Sequence, residues 1–299
     1  MAIYDRRFVP LTSDAGFKAV FACRSNKALL IEFLNRLLPD GVVIRDILEY
    51  CDREQQKDTL ASKKCVLDLI CRGDDGSQFI VEVQDEYFPD FFKRVVFYAA
   101  GVYHLSLDER QGYSMLRPVY VIGILNHRLA HSDESQWDTD HIISHYEFLE
   151  SRTKEFATRT ISVTFAELGR FTKCLCDCTS DLDYLFYWFI HAPSLDEVPD
   201  VIVSRPFLNN VASACEYAAF SKEQKLNFEK NMINELDKSY AIDQHYRRGL
   251  AEGEAKGARE TASRFLMEGI PAETVSKCTG LSLEEVMALQ ASSENIHID

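Results

Sequence analysis

Long hydrophobic runs are missing from this 299-residue chain. Its apolar stretches are a few residues long, far short of the roughly 20 that span a bilayer, so no membrane helix is expected. Positive charge is also scarce: 33 Lys and Arg stand against 47 Asp and Glu, a net charge of −14. That balance excludes a chain that coats nucleic acid through bulk charge and leaves only local contacts to a polyanion. No basic-then-apolar leader opens the sequence, and the nine cysteines are odd in number and scattered. A secreted disulfide framework is therefore not expected, and a reducing cytoplasm is. Zinc-site spacing is absent as well. His127 with His131, His141 with His145, and Cys174-x-Cys176-x-Cys178 match no zinc pattern, so the histidines are read as solvated and the cysteines as small packing residues.

What is present is a core. Hydrophobic residues make up 46% of the chain, enough to exclude wholesale disorder. The acidity is uneven: residues 1–128 carry 17 basic and 18 acidic side chains, residues 129–299 carry 16 and 29. The near-neutral first half can face a polyanion if some of its carboxylates are metal ligands, because a divalent ion cancels the charges it recruits.

Periodicity divides the chain. Residues 13–38 begin with the helix-capping types Ser13 and Asp14 and continue at helical spacing, so one or two amphipathic helices are expected. Val42 to Tyr50 is β-rich, and Lys63–Arg72 with Gln78–Gln84 read as a hairpin across Gly73-Asp74-Asp75-Gly76-Ser77. Residues 90–107 are helical, Pro118–Leu125 is a buried strand, Asn126–His145 a charged loop, and Thr160–Leu168 a further strand. Helices follow over Asp181–His191, Pro206–Phe220 and Lys222–Tyr246, then a glycine-punctuated solvated helix or linker from Gly249 to Gly257. Three short helices close the chain: Thr261–Met267, Ala272–Cys278 and Ser282–Gln290, the last opened by a Ser282/Glu285 capping box. Their apolar positions, Cys278 among them, form a small shared core. This unit resembles a helix-turn-helix, but residues 249–299 hold four basic against nine acidic residues, which favours packing on protein over DNA.

The hairpin carries the chemistry. A five-residue loop sets Arg72 opposite Gln78, and counting back sets Asp68 opposite Glu82, on one face of the sheet with Cβ atoms roughly 4.5–5.5 Å apart. Two carboxylates that close raise each other's cost of ionisation, and a divalent cation is one compensator. Hard oxygen ligands suit Mg²⁺ or Mn²⁺. The alternative is a solvated sheet face with Lys63, Lys64 or Arg72 near the two acids.

In their order along the chain these residues resemble the Rpn family of recombination-promoting nucleases and transposases, within the PD-(D/E)XK nuclease superfamily. The resemblance rests on Thr12-Ser-Asp14-Ala-Gly-Phe17-Lys18, Asn26-Lys27 through Asn35, Val66-Leu67-Asp68, Val81-Glu82-Val83-Gln84, and Phe92-Lys93-Arg94 through Tyr98. It extends through Leu116–Tyr120, Gly249–Gly257 and Cys278–Glu285. It implies a restriction-endonuclease-like mixed sheet flanked by helices over residues 1–170. A helical extension over 171–248 and a glycine-punctuated, helix-turn-helix-like unit over 249–299 then complete an all-helical C-terminal region. It maps the superfamily's Asp to Asp68 and its Glu to Glu82, with the Val83 carbonyl as a further metal ligand. Where the superfamily usually has Lys, this chain has Gln84, as this family tends to; an amide has no charge for a developing oxyanion and cannot act as a base. Asp14, Glu32, Lys18 and Arg94 are the candidates to fill that gap. Asp14 is equally a helix cap, Lys18 its ion-pair partner one turn on. Arg94 and Tyr98, four apart on one helix, are candidates to grip a phosphate.

Two functions fit. One is a metal-dependent DNA endonuclease using Mg²⁺ or Mn²⁺, promoting recombination or transposition, although no separate basic DNA-reading domain is present. The other is a catalytically silent nuclease-fold protein that uses its acidic helical half for protein interaction. A homodimer joined through the helical C-terminal region fits the nuclease reading, since double-strand cutting needs two sites, while a silent protein would use that region to bind itself or another protein.

Overall fold

A computed structural model describes residues 4–50, 69–85, 87–107, 110–130, 141–156 and 158–294. Helices α1 (Asp14–Phe21) and α2 (Lys27–Asn35) open the fold. Strands β1 (Ile47–Tyr50), β2 (Leu69–Gly73) and β3 (Gln78–Gln84) follow, then α3 (Phe91–Leu105), β4 (Val119–Leu125), β5 (Ile143–Tyr146) and β6 (Ile161–Glu167). The six strands form one mixed sheet in the order β1-β2-β3-β4-β6-β5. The β3–β4 and β4–β6 pairs are parallel and the remaining three antiparallel. Every residue of β4 is buried, as a central strand covered on both faces requires.

The two faces of the sheet carry separate apolar layers. Leu69, Cys71, Phe79, Val81 and Val83 point to the first face, where they meet Phe17, Phe21 and Phe33 of α1 and α2. Helix α4 (Asp181–His191) contributes Trp188 and Phe189 to the same cluster, α5 (Asp200–Val203) Ile202 and α6 (Pro206–Ala214) Phe207. Ile70, Ile80, Val121 and Phe165 point to the second face, covered by Phe91, Val95, Ala99 and Val102 of α3. Those α3 residues recur every three or four positions, which makes one buried stripe, each large side chain contributing about 1.5–3 kcal/mol.

The hairpin turn has the expected chemistry. Gly76 sits at φ +84°, a conformation glycine enters without penalty, and the Asp75 carboxylate accepts from the Ser77 amide and hydroxyl at 2.8 and 2.9 Å. The register runs Arg72↔Gln78 through Leu69↔Val81. Asp68, Lys63 and Lys64 lie outside the described residues.

Several sequence expectations are corrected. Ser13 alone caps α1, its hydroxyl accepting from the Gly16 amide at 3.0 Å, so Asp14 is the first helical residue and not the cap. The charged loop after β4 contains strand β5 at its end, and the Val42–Tyr50 strand shrinks to Ile47–Tyr50. Helix α6 stops at Ala214, short of Phe220. Of the two readings of the glycine run the helix is observed, and it joins the segment Thr261–Met267, expected as a separate helix, into helix α7, which extends without a break from Lys222 to Met267. Ion pairs Asp243–Arg247, Arg248–Glu252 and Lys256–Glu260 span single turns along it.

The chain divides into two compact units, Met1–Met232 and Ile233–Asp299. In the second, α8 (Ala272–Thr279) and α9 (Leu283–Glu294) bury Val275 and Val286 with Ala262, while Cys278 stays exposed outside that core. The Ser282/Glu285 capping box is formed. No described helix is long and apolar enough to cross a membrane.

Candidate active site

Glu82 lies near the C-terminal end of β3, flanked by β2 and β4, with only 6% of its surface exposed. Strand alternation places its side chain, with those of Ile80 and Gln84, on the α3 face. Its neighbour on β4 is Gly123, and a Cβ there would meet Phe165 Cδ1 at 2.6 Å. Glycine thus lets the Phe165 ring lie against the strand beside Glu82. That ring is held in place by contacts with Phe91, Phe92 and Tyr146 at 5.6, 5.5 and 5.7 Å.

Gln84 does not stand alone. Arg94 of α3 donates from Nη2 to Gln84 Oε1 at 2.8 Å, and its guanidinium lies over the rings of Phe91 and Phe88 at 5.0 and 5.3 Å. The pairing brings a fixed positive charge to the position where Gln84 itself has none. Tyr98, one turn further along α3, packs against the apolar layer of the second face.

Polar residues gather at the carboxyl ends of β3, β4 and β6, the edge at which open α/β sheets hold ligands, among them His127, which is half-buried and not the solvated side chain expected. Asn126 donates its amide to Asp85 Oδ1 at 2.7 Å and its backbone N–H to the Gln84 carbonyl at 2.9 Å. His127 sits edge-on to Tyr87, and burial lowers its pKa below the usual 6.5. The fully buried Glu167 accepts from the Leu129 amide at 2.8 Å and from Arg170 at 2.9 Å, pinning the chain that leaves β4. Their one sequence signal was position, directly after apolar strand runs.

The α1 and α2 candidates belong to the layer on the first face. Lys18 and Asp14 form an ion pair one turn apart. Glu32 is exposed and bonded to Arg36 at 2.9 Å, whose guanidinium stacks 3.7 Å over Phe207. Lys18 also lines a cleft of about 920 Å³ that reaches Leu69 and Ile70 at the start of β2.

The secondary clusters differ from expectation in part. Cys174, Cys176 and Asp177 surround a single 3₁₀ turn with their ligand atoms within 4.8 Å of one another, all exposed, so Cys174 and Cys176 are not packing residues. Only Cys178 of the three cysteines is buried. His145 is exposed, as expected, and shares a hydrogen bond with Thr164 Oγ1 at 3.0 Å, whereas His131 lies outside the described residues.

The donors on β3 are a carboxylate, a peptide carbonyl and an amide oxygen. These are hard ligands that fit Mg²⁺ or Mn²⁺ and not a thiolate-seeking metal. No curated protein and no solved structure matches this chain. A family model described as PD-(D/E)XK nuclease family transposase matches residues 11–245, and by that match over most of its length the chain belongs to this family.

Proposed function

We propose that this protein is a metal-dependent DNA endonuclease, in which Asp68, Glu82 and the Val83 carbonyl hold Mg²⁺ or Mn²⁺. Asp14 and Glu32, which the family resemblance suggests as second-ion ligands, lie with the layer on the opposite face and are paired with Lys18 and Arg36, so they would hold a second ion only by leaving those partners. The observation that carries the reading is the Gln84–Arg94 hydrogen bond next to the buried Glu82, which restores a cation to a motif that has lost its lysine. When bound, the ion acts as a Lewis acid on the phosphoryl oxygen and makes water a better nucleophile. Gln84, oriented by Arg94, positions that water or a phosphate oxygen. Arg94 stabilises charge developing on the phosphoryl group as the phosphodiester bond breaks in line with attack. The aromatic wall of Phe91 and Phe165 keeps the surroundings of Glu82 poor in water, which strengthens each of these interactions. Lys18 and Tyr98 complete the candidate substrate contacts. Recombination or transposition is the process such cleavage would serve, in the cytoplasm.

Supercoiled-plasmid nicking tests the reading. Purified protein should nick in Mg²⁺ or Mn²⁺ and not in EDTA, and Asp68→Ala and Glu82→Ala should each lower the rate by about two orders of magnitude or more. Equal nicking by folded Glu82→Ala protein would sink the assignment. A second reading, a silent interaction module, is favoured by the exposed apolar side chains along α7: Ile233, Leu236, Tyr240 and Leu250. Calorimetric titration with Mn²⁺ separates the two, because a silent module has no binding site that Glu82→Gln removes. Self-association through α7 is part of both readings.

A further inference from the structure

The cleft beside α1 reverses the charge of the molecule. The chain as a whole carries −14, yet among the described residues lining this cleft Lys18, Arg24 and Lys230 stand with one carboxylate, Glu223. Lys18 is paired with Asp14, while Arg24 and Lys230 are exposed and form no ion pair among the described residues. An acidic protein that concentrates cations around a cavity of about 920 Å³ has built a local site for an anion.

One wall of the cleft is the first part of α7. Phe228 is fully buried and anchors the helix to the core, and Gln224, Asn227 and Asn231 lie beside it at i, i+3 and i+7, all lining the cleft. Facing them is Tyr50, the last residue of β1. Burial pushes its hydroxyl up to about 12, so it stays protonated, and its oxygen is buried with no hydrogen-bond partner among the described residues. The floor includes Leu69 and Ile70, whose register partners Val81 and Ile80 directly precede Glu82 on β3. The cleft therefore reaches the same end of the sheet as Glu82, whose own side chain lies on the α3 face.

We infer that this cleft holds a single nucleic-acid strand, with Arg24 and Lys230 on phosphates and the amide stripe of α7 against sugar and base edges. Cations that track a backbone and an aromatic ring in the same groove are the usual means of holding one strand. Amides supply both a donor and an acceptor to whatever base passes. The inference rests on the nuclease reading for its substrate class, but it concerns binding and not cleavage.

The test is fluorescence polarisation of a labelled single-stranded oligodeoxynucleotide in Ca²⁺, across a series of salt concentrations. Arg24→Ala/Lys230→Ala should weaken binding about tenfold or more at low salt and reduce the slope of log K against log salt by about 1.4, or roughly 0.7 per lost contact. Asn227→Ala/Asn231→Ala should weaken binding with the slope unchanged. Lys154→Ala, on an exposed loop, should bind as wild type. Wild-type affinity and slope in the Arg24/Lys230 double variant would overturn the inference, as would failure of the wild-type protein to bind the strand. Should binding depend on Arg24 and Lys230 in a protein that never nicks, the nuclease reading fails and this one stands. Should nicking proceed while the double variant binds normally, only this one fails.

Discussion

Arg94 and Gln84 are ten residues apart in different elements, and in the proposed function the hydrogen bond between them supplies the charge that Gln84 lacks. A lysine at position 84 would bring a mobile ammonium, whereas the amide–guanidinium pair brings a planar, permanently charged fork braced on Phe88 and Phe91. Arg94→Ala should therefore lower the nicking kcat by about 10²- to 10³-fold with KM little changed, and Arg94→Lys should recover part of that loss. A rise in KM with kcat intact would demote Arg94 to ground-state substrate binding. Spacing alone grouped Arg94 with Tyr98. The fold adds that Arg94 reaches Gln84 at the end of β3.

At the scale of elements, α7 is the least ordinary feature. Helices of 46 residues with glycines at positions 249, 253 and 257 need support, and in the glycine region it comes from ion pairs spanning single turns. Its exposed apolar residues Ile233, Leu236, Tyr240 and Leu250 follow a spacing close to 3.5 residues, and Asp243 and Arg247 fall on the same stripe. A second copy running antiparallel would set Arg247 against Asp243. Leu236→Glu/Tyr240→Glu should then convert a dimer to a monomer in sedimentation velocity while helix content by circular dichroism is unchanged. A wild-type protein that sediments as a monomer at micromolar concentration would remove α7 as a dimer seam. The short β5 strand teaches the converse lesson: Ile143-Ser-His-Tyr146 has too little apolar pattern to be read as a strand, and it becomes one because β6 offers it an edge.

For the whole molecule, two histidines couple stability to pH. Burial is the main cause that lowers the pKa of both His127 and His145 below the usual 6.5. The unfolded chain then binds protons at these positions before the folded one does. Stability is fully present above about pH 6.5 and is lost as pH falls through the lowered folded values. Urea unfolding between pH 7.5 and 5 should show that decline, and His127→Gln/His145→Gln should flatten it. An unchanged slope in the double variant would assign the decline to other groups.

The sequence by itself determined whatever local chemistry controls: the hairpin register, because a five-residue glycine-bearing turn leaves one count across the strands, and helix α4, whose Ser180/Asp183 capping box fixes its start. It also marked Glu82 and Gln84 as neighbours on one sheet face, since strand periodicity is two. The tertiary structure alone decided which partner Gln84 meets, that α7 runs unbroken through its glycines, and that Arg24 joins Lys230 across one cleft. Each of these depends on residues brought together by packing from distant parts of the chain. Periodicity reports only the face on which a residue lies; what stands opposite that face is set by the fold.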